Sequence, residues 1–242
     1  MPRFFLQKNM FSKEKVIIIS VGGSLIVPNG GIDHNFLAGF NAFIRKEVKK
    51  GKRFLLVAGG GNIMRLYRDA ATFVTKGISN DDLDWLAIHI TRVNAHLLRT
   101  MFYDIAHPRI IENYNHKLEN WTEPLAIGAG WKPGWSTDYD AVILARDYGG
   151  RLIINLSNID YVYDKDPKKY PDAKRIESIS WTEMEKIVGD KWTPGLNLPF
   201  DPIATKLAKD LGLTVIVANG KNHANIDKII EGKDFIGTVI KP

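Results

Sequence analysis

Gly128-Ala-Gly-Trp-Lys-Pro-Gly-Trp-Ser-Thr-Asp138 opens a stretch that continues through an amphipathic segment and an apolar run to Ser157-Asn-Ile-Asp-Tyr-Val-Tyr-Asp-Lys-Asp166. It reads as a loop of small residues, a helix opened by Ser/Thr/Asp caps, a buried strand and a polar loop. Loops after buried parallel strands are where open α/β sheets hold their ligands. Two such loops around one helix predict a site with two compartments.

Outward from this stretch the same grammar repeats. Val16–Val21 is a β-branched run that leads into Gly22-Gly23-Ser24. From Asp33, Phe36, Leu37, Phe40, Phe43, Ile44 and Val48 form one helical face closed by Gly51. Phe54–Val57 is a second buried strand, followed by Gly59-Gly60-Gly61 and a helix that starts near Asn62 with Arg65 on its first turn. The longest helical pattern spans Asp81–Ile105, while residues 107–123 show no clean period. Further on, Asp138–Tyr148 reads as a helix and Leu152–Leu156 as a strand. Ser180 and Glu183 form a capping box, and Asp201-Pro202 opens a helix that Gly212 closes. Leu213–Ala218 and Phe235–Ile240 are the last strands, with a short helix between them. Alternating strands and helices predict an α/β domain with a mainly parallel sheet covered on both faces.

The 242 residues carry a net charge of +6 and no cysteine, which excludes disulfides, thiol catalysis and cysteine-based zinc sites. No apolar run is long enough to span a membrane, and Met1–Lys15 lacks the apolar core of a signal peptide. A basic balance suits a protein that handles phosphates. The densest basic group, Arg45 to Arg53, sits at a helix end, where cations complement the dipole. No motif for nucleic-acid recognition occurs, and the six histidines show no metal-ligand spacing.

Glycine after a strand lets phosphate oxygens reach backbone N–H groups that a Cβ would shield. Both Gly22-Gly23-Ser24 and Gly59-Gly60-Gly61 meet this need, and Arg65 is suited to fork a phosphate. Tight turns alone also explain either motif. There is no Gly-x4-Gly-Lys-Ser/Thr, and Gly128-x-Gly130-x3-Gly134 is one residue too long for a dinucleotide fingerprint. Ser136, Thr137 and Asp138 satisfy a helix start and need do nothing more. Lys206 falls off the core face of its helix and by periodicity is a solvated lysine.

Taken together, Ile-Ser-Val-Gly-Gly-Ser (19–24), Ala-Gly-Gly-Gly-Asn-Ile-Met-Arg (58–65), the segment 84–95, Lys-Pro-Gly-Trp-Ser-Thr-Asp (132–138), the segment 157–174, Asp-Pro-Ile-Ala-Thr-Lys (201–206) and Ile-Gly-Thr-Val-Ile (236–240) resemble the amino acid kinase family. Within it they are similar to the archaeal type of uridylate (UMP) kinase. The resemblance implies a single domain of three αβα layers. An extension would occupy about residues 1–14, an acceptor-binding half about 15–138 and a nucleotide-binding half about 139–242. It implies transfer of the γ-phosphoryl group of ATP to UMP in pyrimidine nucleotide biosynthesis, with Mg²⁺ riding on the ATP phosphates and no dedicated protein metal ligands.

By the same resemblance Lys206, Asp138 and Arg65 are catalytic. Gly60, Asp84, Trp131, Lys132, Pro133, Gly134, Trp135, Ser136 and Thr137 hold UMP. Gly23, Ser24, Gly61 and Arg65 hold the ATP phosphates, and Ser157, Asn158, Tyr163 and Asp166 its adenosine side. A cytoplasmic homo-oligomer, commonly a hexamer in the family, is implied, with no nucleic-acid or membrane partner. Trp131 and Trp135 depart from the family's acceptor loop, where they either stack on a base or fill the pocket. A different acceptor (carbamate, an acyl amino acid, isopentenyl phosphate) and a nucleotide-binding or storage protein without catalysis remain the alternatives.

Overall fold

The computed structural model describes residues 16–29, 31–167, 169–191 and 198–242; the extension expected over about 1–14 lies outside them. In chain order the elements are β1 (Ile17–Val21), α1 (Gly23–Ile26), α2 (His34–Lys49), β2 (Phe54–Ala58), α3 (Gly61–Val74), α4 (Asn80–Met101), β3 (Leu125–Gly128), α5 (Thr137–Asp147) and β4 (Leu152–Ser157). They continue with β5 (Val162–Tyr163), β6 (Arg175–Ile176), β7 (Ser178–Ser180), α6 (Trp181–Val188), α7 (Pro202–Asp210), β8 (Thr214–Asn219), α8 (His223–Ile230) and β9 (Thr238–Lys241). No helix among the described residues is long and apolar enough to cross a membrane.

The main sheet has the order β3-β2-β1-β4-β8-β9-β7, and β5 and β6 form a separate antiparallel ribbon. All main-sheet pairs are parallel except β8 with β9. Side chains of β1 alternate between the two faces, as the pleat requires. Ile17, Ile19 and Val21 join Phe36, Phe40, Leu98 and Ile226 in one core, while Ile18 joins Ala141, Leu144, Trp181 and Ala208 in the other. Helices therefore cover both faces, giving three αβα layers. Truncating a fully buried ring such as Phe40 to Ala would cost about 3–5 kcal/mol.

The helix starts follow the capping residues. Asp33 accepts from Phe36 N (2.9 Å), Ser136 from Tyr139 N (3.0 Å) and Asp201 from Ala204 N (2.6 Å). Ser180 and Glu183 make the full reciprocal box. The first part of residues 107–123, which lack a period, lies along the outer edge of β3, flanked by the isolated bridges Ala106↔Leu125 and Ile111↔Gly128. His107 N and Ile111 N donate to Leu125 O and Ile127 O at 2.8 Å each, so this irregular segment shields an otherwise open strand edge. The strand order reverses between β1 and β4, and crevices at the carboxyl ends of such a pair take ligands.

Candidate active site

The carboxyl ends of β1 and β2 carry the two glycine loops, which interlock backbone to backbone. A Cβ on Gly23 would meet the Gly61 and Gly59 backbones, and one on Gly61 would meet Gly23 O and lie 2.8 Å from Val27 O. Gly61 also has φ +74°, which L side chains rarely adopt. These glycines are thus required by loop-to-loop packing as well as by any ligand. Behind them Asn94 of α4 donates to Gly59 O (2.7 Å) and Gly60 O (3.1 Å), holding the second loop still. Gly60 is the N-cap of α3, so the first N–H groups of that helix open beside the loop.

Over this floor stands a cleft of about 220 Å³. Gly23, Gly59 and Gly60 form its inner end. Met64 and Arg68 of α3 form one wall, and Asp84, Ala87, Ile88 and Thr91 of α4 another. Gly130, Trp135, Ser136, Thr137 and Asp138 close the third side, with Leu198, Asp201 and Pro202 beyond them. The spacing 84, 87, 88, 91 is a single helical stripe.

The loop from Gly130 to Thr137 is held at many points. Thr91 Oγ1 accepts from Gly130 N (2.9 Å) and donates to Ile88 O (2.7 Å). Arg92 donates to Gly130 O (3.1 Å) and Trp131 O (3.2 Å). Gly134 N donates to Asp84 Oδ2 at 2.8 Å. Trp135 stands edge-on to Trp131 (4.9 Å between centroids) and to Tyr139 (4.6 Å), and Lys132 Nζ lies 4.6 Å from each indole of the pair. Edge-to-face rings and a cation over their faces make a rigid platform.

Two carboxylates meet at the third side. Asp138 Oδ2 accepts from Asp201 N (3.1 Å) and Asp138 Oδ1 from Asn155 Nδ2 (3.3 Å), which ties α5 to β4 and α7. Burial, and then the nearby Asp201 charge, push the Asp138 carboxyl up to about 7. Burial raises Asp201 too, against the N–H groups of Ala204 and Ile203 and the Ser136 hydroxyl. Asp140, two residues on, is fully buried, and among the described residues neither of its oxygens has a donor. Burial and then Asp138 hold it well above the ordinary carboxylate range. Among the described residues no group of three or more His, Cys, Asp or Glu is arranged to hold a metal ion. Asp138 and Asp201, each destabilised as an anion, are nonetheless the carboxylates that a cation arriving with a nucleotide would relieve.

Of the residues expected from sequence, Gly23, Gly60, Asp84, Trp135, Ser136, Thr137 and Asp138 line this one cleft. Ser24 and Gly61 belong to the loops that form its floor, and Trp131, Lys132, Pro133 and Gly134 stand behind Trp135 in its loop. Arg65 is exposed on α3 and does not line the cleft, and Lys206 is exposed on α7, one turn beyond Pro202. Ser157 ends β4 and Asn158 follows it, beside the β1 end, while Tyr163 in β5 and Asp166 after it lie outside the cleft. Sequence reading missed Arg68, Met64, Thr91, Asn94 and Asp201 as site residues. The spacing Gly60, Met64, Arg68 (i, i+4, i+8) was the available signal for the α3 wall.

The family model described as Amino acid kinase family matches residues 15–112 and 129–219. A uridylate kinase of Methanocorpusculum labreanum is 31% identical over 93% of this chain and 94% of its own length. One from Methanothermobacter thermautotrophicus is 33% identical over 93% of this chain and 99% of its own. Among solved structures, the uridylate kinase of Archaeoglobus fulgidus superposes with a TM-score of 0.78 at 28% identity, covering 93% of this chain and 99% of that one. The UMP kinase of Bacillus anthracis, at 21% identity and a TM-score of 0.74, shares the fold.

Proposed function

This chain belongs to the amino acid kinase family, and from that premise we propose that it is a cytoplasmic UMP kinase that moves the γ-phosphoryl group of ATP to UMP. The observation that carries the reading is the single cleft in which the glycine floor, Asp84, Trp135 and Asp138 converge. Full-length similarity to archaeal uridylate kinases supports it.

Residues 15–138 take the acceptor and 139–242 the donor. The phosphates lie over Gly23, Ser24, Gly60 and Gly61, where backbone N–H groups and the start of α3 favour negative charge. Asp84 faces the ribose hydroxyls of UMP, with the loop from Trp131 to Thr137 around the base. Ser157, Asn158, Tyr163 and Asp166 border the adenosine of ATP, next to the crossover between β1 and β4. Phosphoryl transfer asks for alignment and charge compensation more than for covalent chemistry. Arg65 and Lys206, both long, exposed cations that do not line the cleft, swing inward to compensate the transferring group. Asp138 organises the ends of β4, α5 and α7 around it. Mg²⁺ arriving with ATP would supply charge neutralisation at its phosphates, with Asp138 and Asp201 the cleft carboxylates that would face it. The UMP phosphate is already anionic, so no strong general base is needed.

Homo-oligomerisation belongs to the same reading. Among the described residues α3 has no buried side chain, and it exposes Leu66, Tyr67, Phe73 (88% exposed) and Val74 (81%). A second copy of this chain would cover that face; sedimentation of the purified protein tests this.

A coupled ADP-release assay with UMP, CMP, carbamate and N-acetylglutamate tests the function. Turnover with UMP is expected. ATP binding with no turnover on any acceptor would leave a nucleotide-binding protein instead.

A further inference from the structure

The cation that lines the cleft among the described residues is Arg68, which shares one face of α3 with Gly60 and Met64. At 1.5 Å per residue, Arg68 stands about 12 Å along the helix from Gly60. The neighbouring helix α4 runs the other way. Its Asn94 holds the Gly59 and Gly60 carbonyls, so Asp84, ten residues earlier, lies about 15 Å from the glycine end. The Gly134 N–H bond to Asp84 brings the acceptor loop to that same outer end, where Trp135 offers its indole. The cleft is therefore polarised. Backbone amides suited to phosphate lie at the inner end, and a carboxylate, an indole and a guanidinium at the outer one. The span from the phosphate to the base edge of a nucleoside monophosphate is shorter than these backbone separations, and the long side chain of Arg68 covers the difference.

We infer that Arg68 reads the base of the acceptor, donating to a keto oxygen of uracil and rejecting a pyrimidine that carries an amino group there. The inference rests on the proposed UMP acceptor and adds the residue that selects it. A guanidinium presents five N–H donors and no acceptor. Uracil O4 answers a donor, whereas the exocyclic amino group of cytosine sets donor against donor. A site built to hydrogen-bond a polar group rejects analogues that cannot pair by far more than an apolar pocket does. Arg65 is exposed and does not line the cleft, and Lys132 lies over the indoles of Trp131 and Trp135.

The test compares kcat/KM for UMP and CMP at saturating ATP in the full-length protein and in Arg68→Gln and Arg68→Glu. Arg68 is half-buried near the surface of α3, and melting curves confirm that each variant folds. The wild type is expected to prefer UMP on the order of 100-fold or more. Glutamine offers both a donor and an acceptor, so R68Q lowers that preference at least about tenfold. Glutamate only accepts, so R68E moves the ratio further towards CMP, and the KM for ATP stays within about twofold in both. An unchanged preference in both variants overturns the inference. So does an equal loss with UMP and CMP, which marks an anion anchor or a structural residue. Turnover of UMP without preference over CMP in the wild type removes the inference alone. Absence of UMP binding by calorimetry removes the proposed function together with it.

Discussion

Replacing Asp138 with Asn should make the unliganded protein more stable at alkaline pH while abolishing turnover. The Asp138 carboxyl is raised from an ordinary value of 3.8 to about 7, first by burial and then by Asp201. A raised carboxyl pKa means that the folded state binds a proton more tightly than the unfolded chain. Below about pH 4 both states are protonated and nothing is lost. As pH rises, the unfolded chain ionises first and folding is progressively penalised, up to the folded value near 7. About three pH units at 1.36 kcal/mol each set a ceiling of about 4 kcal/mol, since part of Asp138 faces the cleft and is screened there. Asparagine carries no charge but has one acceptor oxygen, so either Asp201 N or Asn155 Nδ2 loses its partner, at about 1–2 kcal/mol. The net expectation is a gain of about 2 kcal/mol at pH 8, or roughly 4–8 °C in Tm for a chain of this size. At pH 5 the two effects nearly cancel. Calorimetric melting of both proteins at pH 5 and pH 8 reads this directly. Equal Tm shifts at the two pH values, or a less stable variant at pH 8, would refute the electrostatic account of this site.

Lys206→Ala should lose turnover by at least about 100-fold with the melting temperature within about 2 °C of wild type, because its side chain is exposed; wild-type rates would remove its role. Gly61→Ala should destabilise by about 3 kcal/mol or more in urea titrations, since a positive φ and contacts with Gly23 and Val27 backbone oxygens act together; a loss under about 1 kcal/mol would contradict the interlocked loops. His223, stacked on Phe43 and close to Phe36 and Phe40, has its pKa lowered by burial. Its unfolded form therefore takes up a proton first as pH falls below about 6.5, and stability drops from there downward. His223→Leu should flatten that part of the Tm-against-pH curve, and an unaltered slope would assign the acid sensitivity elsewhere.

Much of the architecture was legible because it is written in local patterns. Val16–Val21 and Phe54–Val57 announce buried strands by their β-branched and apolar runs. Asp33, Ser136, Ser180 and Asp201 announce helix starts because their short polar side chains reach the free N–H groups of the first turn. Residues 107–123 were not legible, since they carry no period of their own and their first part is held by strand-edge bonds to β3. The antiparallel entry of β9 beside β8 was equally hidden, because a buried strand reads the same in either direction.

The chain alone determined the strand–helix alternation, the two glycine loops and the capped helix at Ser136, because each depends on residues within one or two turns of each other. Which arginine of α3 faces the cleft depends on the rotational phase of a helix against a neighbour, and the structure turns Arg68 inward and leaves Arg65 outside. The pairing of Asp138 with Asp201, 63 residues apart, is likewise a product of packing. So is the need for glycine at 23 and 61, where the nearest obstacle is the other loop's backbone. Local hydrogen-bonding preference can be read along a chain, but charge against charge and backbone against backbone exist only once distant segments share a place.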